Sequence, residues 1–353
     1  MPIDWTRPYG ASQRLALVDR ATGAETPCGD VLVRGGTLTR DDGTQCKESA
    51  SVTVVGDFDP DPMLVRLYAD FSQGADAQSV ALGTFVASID SDAYDGAAHM
   101  LSVTLDGRLT ELAQDGFEAP FTVEAGTPAV AYAQSIAEQA GFAVVADPST
   151  FTLSQVRSYG LDEDQSKLDV INDLLDLAGF SAARCDPMGN LLMRRYVEPG
   201  ERQVSATYSQ GPGSTMHREV TDEADGSEVA NVVLAVYSTQ DATIVGTAVD
   251  DSPTSRWSTV ARGRRIVKRY RYTELVTQAE ADAKAAELLA TAQSVVRHVR
   301  QSVAFRPDVT IGDSVALDYP DAGVSGTFAV RSQSIALDGA MQVQADFRAY
   351  VRR

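Results

Sequence analysis

The sequence predicts a β-rich α+β protein in which an α/β insert separates two β domains. Short runs of β-branched, aromatic and alternating apolar residues fill both ends of the chain, and turn-forming segments divide them. The middle of the chain carries two amphipathic helical stripes instead. Since 353 residues exceed the usual size of a single core, we predict three domains at residues 1–118, 119–200 and 201–353.

The first predicted domain consists of short strands. Residues 52–55, 63–71, 80–89 and 99–105 are rich in β-branched and aromatic residues or alternate apolar with polar ones. The segments between them are rich in Asp, Gly and Ser, which favour turns. Strands at this spacing indicate a small barrel or a sandwich.

The insert begins with a helix that we expect between Thr127 and Gly141. Thr127 is a suitable cap for the helix, and Pro128 behind it suits the first helical position. Gly141 suits the position just past the helix because glycine adopts a positive φ without strain.

A second helix is predicted to start at Ser166, which forms a capping-box pattern with Asp169, and to end at Gly179. Both predicted helices run into the sequence Ala-Gly-Phe, followed by an expected strand, an Asp-Pro turn and a return strand. A solenoid needs at least three repeats, so these two units indicate a compact α/β insert.

The last predicted domain returns to strands and contains one helix. Residues 228–237 have the composition of a strand. Thr277 with Glu280 marks the start of a helix that we expect to run to about Val296. An Asp-Gly pair at 338–339 lies between two strand patterns, which is a strong hairpin signal.

One stretch of this domain, RGRRIVKRYRY at residues 262–272, holds six of the 30 basic residues of a chain whose net charge is -19. We name it the basic tract and predict that it forms a strand. Alternation then gives two faces: Arg264, Ile266, Lys268, Tyr270 and Tyr272 on one, and Arg265, Val267, Arg269 and Arg271 on the other. Three interpretations remain open, namely a solvated edge strand, an ion-paired contact between subunits or domains, and a polyanion site. The candidate residues for the contact are Arg265, Arg269 and Arg271.

Formal charge is distributed unevenly along the chain. Residues 1–150 carry a net charge of -14 and residues 151–250 a net charge of -9, whereas residues 251–353 carry +4. A protein this acidic repels DNA over most of its surface. If the basic tract has a partner, another copy of the same chain is therefore the candidate.

The sequence contains no recognisable catalytic or metal-binding motif. Its three histidines form no zinc-binding pattern, and neither a nucleophile elbow nor a phosphate-binding glycine loop occurs. Asp57, Asp59 and Asp61 begin like a calcium loop, but Pro62 and Tyr68 stand where such a loop requires Gly and Glu. We therefore predict no catalytic residue, no metal, no cofactor and no enzymatic activity.

Cysteine usage and hydropathy indicate a protein that is made in a cytoplasm. Cys28, Cys46 and Cys185 are widely spaced, and we expect free thiols rather than a disulfide. No apolar run approaches the ~18 residues that a membrane-spanning helix requires, so we expect no membrane insertion.

Three parts of the chain resemble the bacteriophage tail hub (baseplate hub) proteins. Their opening β domain is similar to KESASVTVVGDFDPDPMLVRLYADF and the strands that follow it, through the helix entry at 106–109. Their helix–strand–turn–strand insert is similar to SKLDVINDLLDLAGFSAARCDPMGNLLMRRY. Their closing β domain is similar to PDVTIGDSVALDY with GTFAVRSQSIALDGAMQVQADF. The likeness covers nearly the whole chain, although its motifs are loose.

This resemblance implies a structural virion protein located at the tail tip and assembled in the cytoplasm of the bacterial host. Each subunit would give two small β-barrel domains to a ring-shaped homotrimer. The ring would join a distal tail or tail tube protein above to a spike or fibre protein below, and DNA would pass through it without specific binding.

The sequence leaves open two other classes. One is a soluble ligand-binding protein, which would be monomeric and would have a pocket rather than a central hole. The other is a β-rich carbohydrate-binding or cell-wall-processing protein. Such a protein needs clustered exposed aromatic residues and a pair of carboxylates. Aromatic residues make up only 7% of this chain, and its two tryptophans, Trp5 and Trp257, are far apart in the sequence.

Overall fold

The computed structural model describes residues 3–29, 31–96, 98–160, 165–224, 229–238, 243–255, 257–272, 277–292 and 295–351. The protein is rich in antiparallel strands, and the predicted β-rich α+β class is confirmed. The chain divides into two compact units. We call Met1–Glu219 with Gln301–Asp346 the first unit, and Val220–Arg300 with Phe347–Arg353 the second unit.

Seven strands occupy the described part of the first 107 residues. They are β1 (Gly10–Val18), β2 (Glu25–Pro27), β3 (Leu32–Asp41), β4 (Glu48–Val55), β5 (Leu64–Gln73), β6 (Asp76–Asp95) and β7 (Ala98–Gly107). They pair in the order β3-β4-β7-β6-β5-β1-β2, and every pair is antiparallel. The four predicted strands are confirmed as β4 to β7. The alternating residues Val52 and Val54 are buried, as the pattern of β4 requires.

The insert follows directly. It contains α1 (Thr110–Gln114), β8 (Phe121–Val123), α2 (Ala129–Gln139), β9 (Val144–Ala146), β10 (Arg157–Tyr159), α3 (Lys167–Leu177), β11 (Arg184–Cys185) and β12 (Leu191–Met193). Apolar side chains of α2 and α3, among them Ala133, Leu168 and Leu174, form one buried core with its short strands. The two similar helix–strand–turn–strand segments of the insert contribute strands to one sheet, whose order is β11-β12-β9.

Three of the four helix-end predictions in the insert are confirmed and one is wrong. Ser166 and Asp169 form the capping box, and Gly141 and Gly179 follow their helices with φ of 86° and 73°. Thr127 does not cap α2, because the helix begins one residue later and Pro128 is its N-cap. The Thr127 carbonyl accepts the Leu153 N–H instead, which holds this segment extended.

The C-terminal part of the first unit completes its sheet. It contributes β13 (Val204–Ser209), β19 (Ser314–Tyr319), β20 (Val324–Ala336) and the start of β21 (Gln342–Val351). The predicted hairpin at Asp338 joins β20 to β21. Strand β20 pairs with β3, with Ser332 opposite Asp41, so one sheet combines both ends of the chain. The boundaries of these two units do not coincide with the predicted domain boundaries at residues 118 and 200. The division into three domains stays a prediction.

The second unit contains a small sheet covered by a helix. Its elements are β15 (Val232–Ser238), β16 (Thr243–Val249), α4 (Thr259–Arg262), β17 (Val267–Tyr272) and α5 (Gln278–Ala292), and it shares β14 (Met216–Ala224) and β18 (Val295–Ala304) with the first unit. The sheet order is β16-β15-β17, with β15 antiparallel to β16 and parallel to β17.

Helix α5 packs closely on one face of this sheet. Ala281 and Ala285 of α5 form a buried cluster with Ala235 and Tyr237 of β15. A Cβ atom at Gly246 of β16 would lie 1.9 Å from the Ala281 carbonyl oxygen, so only glycine permits this approach.

The predicted start of α5 is confirmed, and its predicted end is wrong. The predicted cap is confirmed, because the Thr277 N–H donates to Glu280 Oε2 over 2.7 Å and the Glu280 N–H donates to Thr277 Oγ1 over 3.3 Å. The predicted end at about Val296 is wrong, since the helix stops at Ala292 and a strand starts at Val295. Consecutive β-branched residues favour the strand there.

Candidate functional site

The basic tract begins as a turn of helix and becomes a strand only later. Ser258 caps α4, its Oγ accepting a backbone N–H of the first turn over 3.1 Å. Gly263 ends this helix in the left-handed conformation at a φ of 61°, and β17 starts at Val267. The prediction of one strand across the whole tract is therefore wrong for residues 262–266. Arg265 precedes the strand, whereas Arg269 and Arg271 belong to it.

A buried amide holds the start of the strand. Asn231 has no solvent exposure, and its Oδ1 accepts the Ile266 N–H over 2.7 Å. Its Nδ2 donates to the carbonyl oxygens of Arg264 over 2.9 Å and Trp257 over 3.3 Å. These bonds satisfy one backbone N–H and two backbone carbonyl groups of the turn. Sequence reasoning missed Asn231 because an Asn before an apolar run resembles an ordinary turn residue.

The side chains of β17 alternate between two faces as predicted. Tyr270 and Tyr272 point toward α5, and the ring of Tyr272 stacks on Tyr237 with centroids 4.7 Å apart. Arg269 and Arg271 are exposed and lie on the opposite face. The predicted faces are thus confirmed for the strand itself.

The three predicted arginines are available to a partner. Arg265, Arg269 and Arg271 are exposed, and their side chains form no ion pair within the described part of the chain. The second unit, to which they belong, contains 13 basic and 11 acidic residues and carries a net charge of +2. The first unit contains 17 basic and 38 acidic residues and carries -21. Charge is therefore segregated between the two units.

A second group of charged residues surrounds a cavity of about 190 Å³ in the first unit. Arg40 of β3 and Glu48 of β4 face each other there, with Nε and Oε2 3.8 Å apart. Arg184 and Asp186 reach the cavity from β11 and the turn after it, and Asp313 reaches it from the segment before β19. With Val80, Ala81 and Leu82 of β6 also in its lining, the cavity joins four separate parts of the sequence.

Burial dominates the titration of this group. It raises the pKa of Glu48 to about 7, against the opposing attraction of Arg40. It also lowers the pKa of Arg40 and raises that of Asp313. Oε1 of Glu48 has no hydrogen-bond partner among the described residues. Sequence reasoning missed the group, because nothing in the β3 sequence distinguishes a buried Arg from an exposed one.

A histidine ties the end of the β6–β7 hairpin to the aspartate-rich loop before β5. His99 Nδ1 lies 3.0 Å from Asp57 Oδ1, and Nε2 lies 2.8 Å from Asp92 Oδ1. The ring of Tyr94 stacks on His99 with centroids 4.6 Å apart. The hydrogen bonds to Asp57 and then Asp92 raise the pKa of His99. Asp57 therefore serves as a histidine partner in the loop whose spacing only partly matches a calcium loop.

Within the described ranges, no group of three or more His, Cys, Asp and Glu residues is arranged to bind a metal ion. The helices described there are all too short or too polar to span a membrane. All three cysteines are free thiols, as predicted.

Comparison with solved structures finds the same fold along the whole chain. The tail protein from Neisseria meningitidis MC58 is 13% identical, with a TM-score of 0.64 and coverage of 96% of this chain and 97% of that one. The 43 kDa tail protein of prophage MuSo2 from Shewanella oneidensis is 12% identical, with a TM-score of 0.62 and coverage of 96% and 98%. A chain of the Francisella PdpA-VgrG complex is 6% identical, with a TM-score of 0.58 and coverage of 98% of this chain and 53% of that chain.

Neither a protein-family model nor a curated protein sequence matches this chain. At such low identity the solved structures establish the fold and nothing finer. The predicted resemblance to tail hub proteins is thus confirmed at the level of the fold.

Proposed function

We propose, from a fold shared with phage tail proteins over its whole length, that this chain is a structural protein of a bacteriophage tail and serves as its hub. The observation that carries the proposal is the end-to-end correspondence: 96% of this chain aligns with 97% of one tail protein and 98% of another. A correspondence that leaves no large part of either chain unmatched is expected of proteins with the same architecture. It is less expected of a shared module within different proteins.

In the proposed assembly three copies form a ring, and each copy contributes two small β-barrel domains. The ring joins a distal tail or tail tube protein above to a spike or fibre protein below, at the tail tip of a virion that assembles in the bacterial cytoplasm. The charge difference between the two units supports the ring, because unlike units of neighbouring copies attract each other. Arg265, Arg269 and Arg271 are the proposed contacts on the basic side.

DNA passes through the proposed ring without specific binding. The excess of acid in the first unit, with a net charge of -21, supports this role because a negative wall does not retain a polyanion. The absence of catalytic motifs from the sequence supports a role without enzymatic activity. Purified cell wall incubated with the protein should therefore release no soluble fragments.

Electron microscopy of the purified protein and of assembled tails tests the proposal. We expect rings with three copies, alone or once tail partners are present, and labelling of the protein at the tail tip. Light scattering gives the number of copies independently. A protein that stays monomeric in both settings, or that is absent from purified virions, contradicts the proposed function.

A further inference from the structure

Helix α5 covers one face of the sheet of the second unit. The opposite face, which we call the open face, exposes valines on its two edge strands, β16 and β17, although Val232 between them on β15 is 1% exposed. Strand register places Val249 and Val267 on either side of Val232, and Val245 opposite Val236. Directly paired residues point to the same side of a sheet, so these valines share the face opposite α5. Val245, Val249 and Val267 are 39%, 41% and 41% exposed. An apolar surface of this kind is typical of a binding surface.

The open face is bordered by positive charge. Arg269 and Arg271 alternate with Val267 along β17 and point the same way. Neither guanidinium forms an ion pair with another described residue, so both retain their binding capacity. Exposed valines with arginines beside them have the composition that protein interfaces favour.

We propose that this open face binds the acidic first unit of a second copy of the chain. The partner is identified by charge: a second copy brings a first unit with a net charge of -21 to a face that presents two arginines without an ion pair among the described residues. A nucleic acid would meet the same arginines but would also be repelled by the acidic remainder of the protein. The inference rests on the proposed function and names the surface and the partner of its ring contact.

The same charges determine the symmetry of the contact. A two-fold dimer through this face would bring Arg269 and Arg271 of one copy against the same residues of the other, and like charges disfavour it. A contact between two different surfaces is heterologous, and such contacts close into rings when the rotation permits. The open face therefore leads to a cyclic assembly rather than a symmetric pair.

Glutamate substitutions at two exposed valines test the surface. V267E places a carboxylate at the start of edge strand β17, on the open face, and should weaken assembly at least tenfold in sedimentation or light scattering. V260E is the matched control, since Val260 is 63% exposed on α4, outside the sheet, and should change assembly less than twofold. The double variant V245T/V249T removes apolar contact while keeping strand propensity. If V267E impairs folding, the assembly of this double variant is measured instead and should also be weakened. Equal effects at positions 260 and 267 overturn the proposal, as does unchanged assembly in the folded valine variants.

Photo-crosslinking identifies the partner. A benzophenone side chain at position 267 is introduced into a mixture of isotope-labelled and unlabelled chains, and crosslinked peptides are sequenced by mass spectrometry. We expect peptides of mixed isotope composition that join position 267 to the first unit. Mixed peptides that join it to residues 220–300 indicate a symmetric dimer and overturn the inference. Rings without mixed peptides overturn the inference but leave the proposed function intact, whereas the absence of rings contradicts both.

Discussion

The two units use arginine in opposite ways. In the first unit Arg40 is only 6% exposed and lies beside a carboxyl group that burial has made a weak acid. In the second unit Arg269 and Arg271 are exposed and have no ionic partner among the described residues. A buried charge makes the fold depend on its partner, whereas an exposed charge contributes little to the fold and is left for recognition. Net charge alone does not distinguish these uses.

The largest effect is expected at the buried pair. Arg40→Met removes the cation beside Glu48 and the donor to the Leu82 carbonyl oxygen. A buried charge without its partner costs about 3–5 kcal/mol, so the free energy of unfolding of the first unit should fall by that amount at pH 8. Urea denaturation measures it. Arg271→Met is the control and should stay within about 0.5 kcal/mol of the unmodified protein. Similar losses for both variants would remove the distinction between the two units.

The pH dependence of Glu48 sharpens the same comparison. Its folded pKa of about 7 lies above its ordinary 4.5, so folding favours the protonated form. The resulting stability is fully present below about pH 4.5 and is lost as the pH rises through about 7. Relative to Glu48→Gln, the unmodified protein should lose up to about 3 kcal/mol between pH 4.5 and pH 8, at about 1.4 kcal/mol per pKa unit. Denaturation at four pH values tests this, and a constant difference would mean that Glu48 titrates normally.

Asn231 is buried but uncharged, so it tests whether a loss of stability requires a buried charge or only a buried polar group. Asn231→Ala removes three hydrogen bonds and leaves the Ile266 N–H and two carbonyl oxygens without this partner. We expect a loss of about 1–3 kcal/mol and faster hydrogen exchange at Ile266. Asn231→Asp keeps an acceptor for that N–H but loses both donors, so it should protect Ile266 better than alanine does. Exchange that is unchanged in both variants would show that the turn holds without the amide.

The smallest effect on folding is expected at the basic tract. Changing Arg265, Arg269 and Arg271 together to Gln should alter the free energy of unfolding by less than about 0.5 kcal/mol. The same change should weaken ring assembly and make the remaining association less sensitive to salt. Arg264→Gln with Lys268→Gln is the matched control and should affect assembly less. Equal assembly defects would contradict the assignment of the contact to one face, and lost DNA affinity with intact assembly would favour a polyanion site.

The sequence predicted best what depends on neighbouring residues. The capping boxes at Ser166 and Thr277, and the alternation of β17, were recognisable because each involves residues within four positions of one another. Strand β3 was missed: Gly35 and Gly36 have φ of 140° and 153°, and the register shifts beside them, so alternation is interrupted. The buried Arg40 was missed because its environment comes from distant segments.

In the candidate site, too, the sequence predicted features set by neighbouring residues and missed those set by distant segments. The sequence identified Arg269 and Arg271 and the face they share. It wrongly placed Arg265 in the strand. Ser258 and Gly263 cap the short helix α4, which ends inside a tract whose composition resembles a strand throughout. The open valine face was not predicted, since exposure on a sheet depends on which side α5 covers.

The pairing of β3 with β20 also affects when the first unit can fold. Asp41 and Ser332 are register partners although 291 positions separate them in the chain. At a synthesis rate of roughly 5–20 residues per second, the ribosome makes β20 about 15–60 s after β3. During that interval the edge of β3 lacks its partner, and unpaired strand edges promote aggregation. We therefore expect C-terminal truncation before residue 324, which removes β20 and leaves this edge of β3 without its partner, to yield insoluble product.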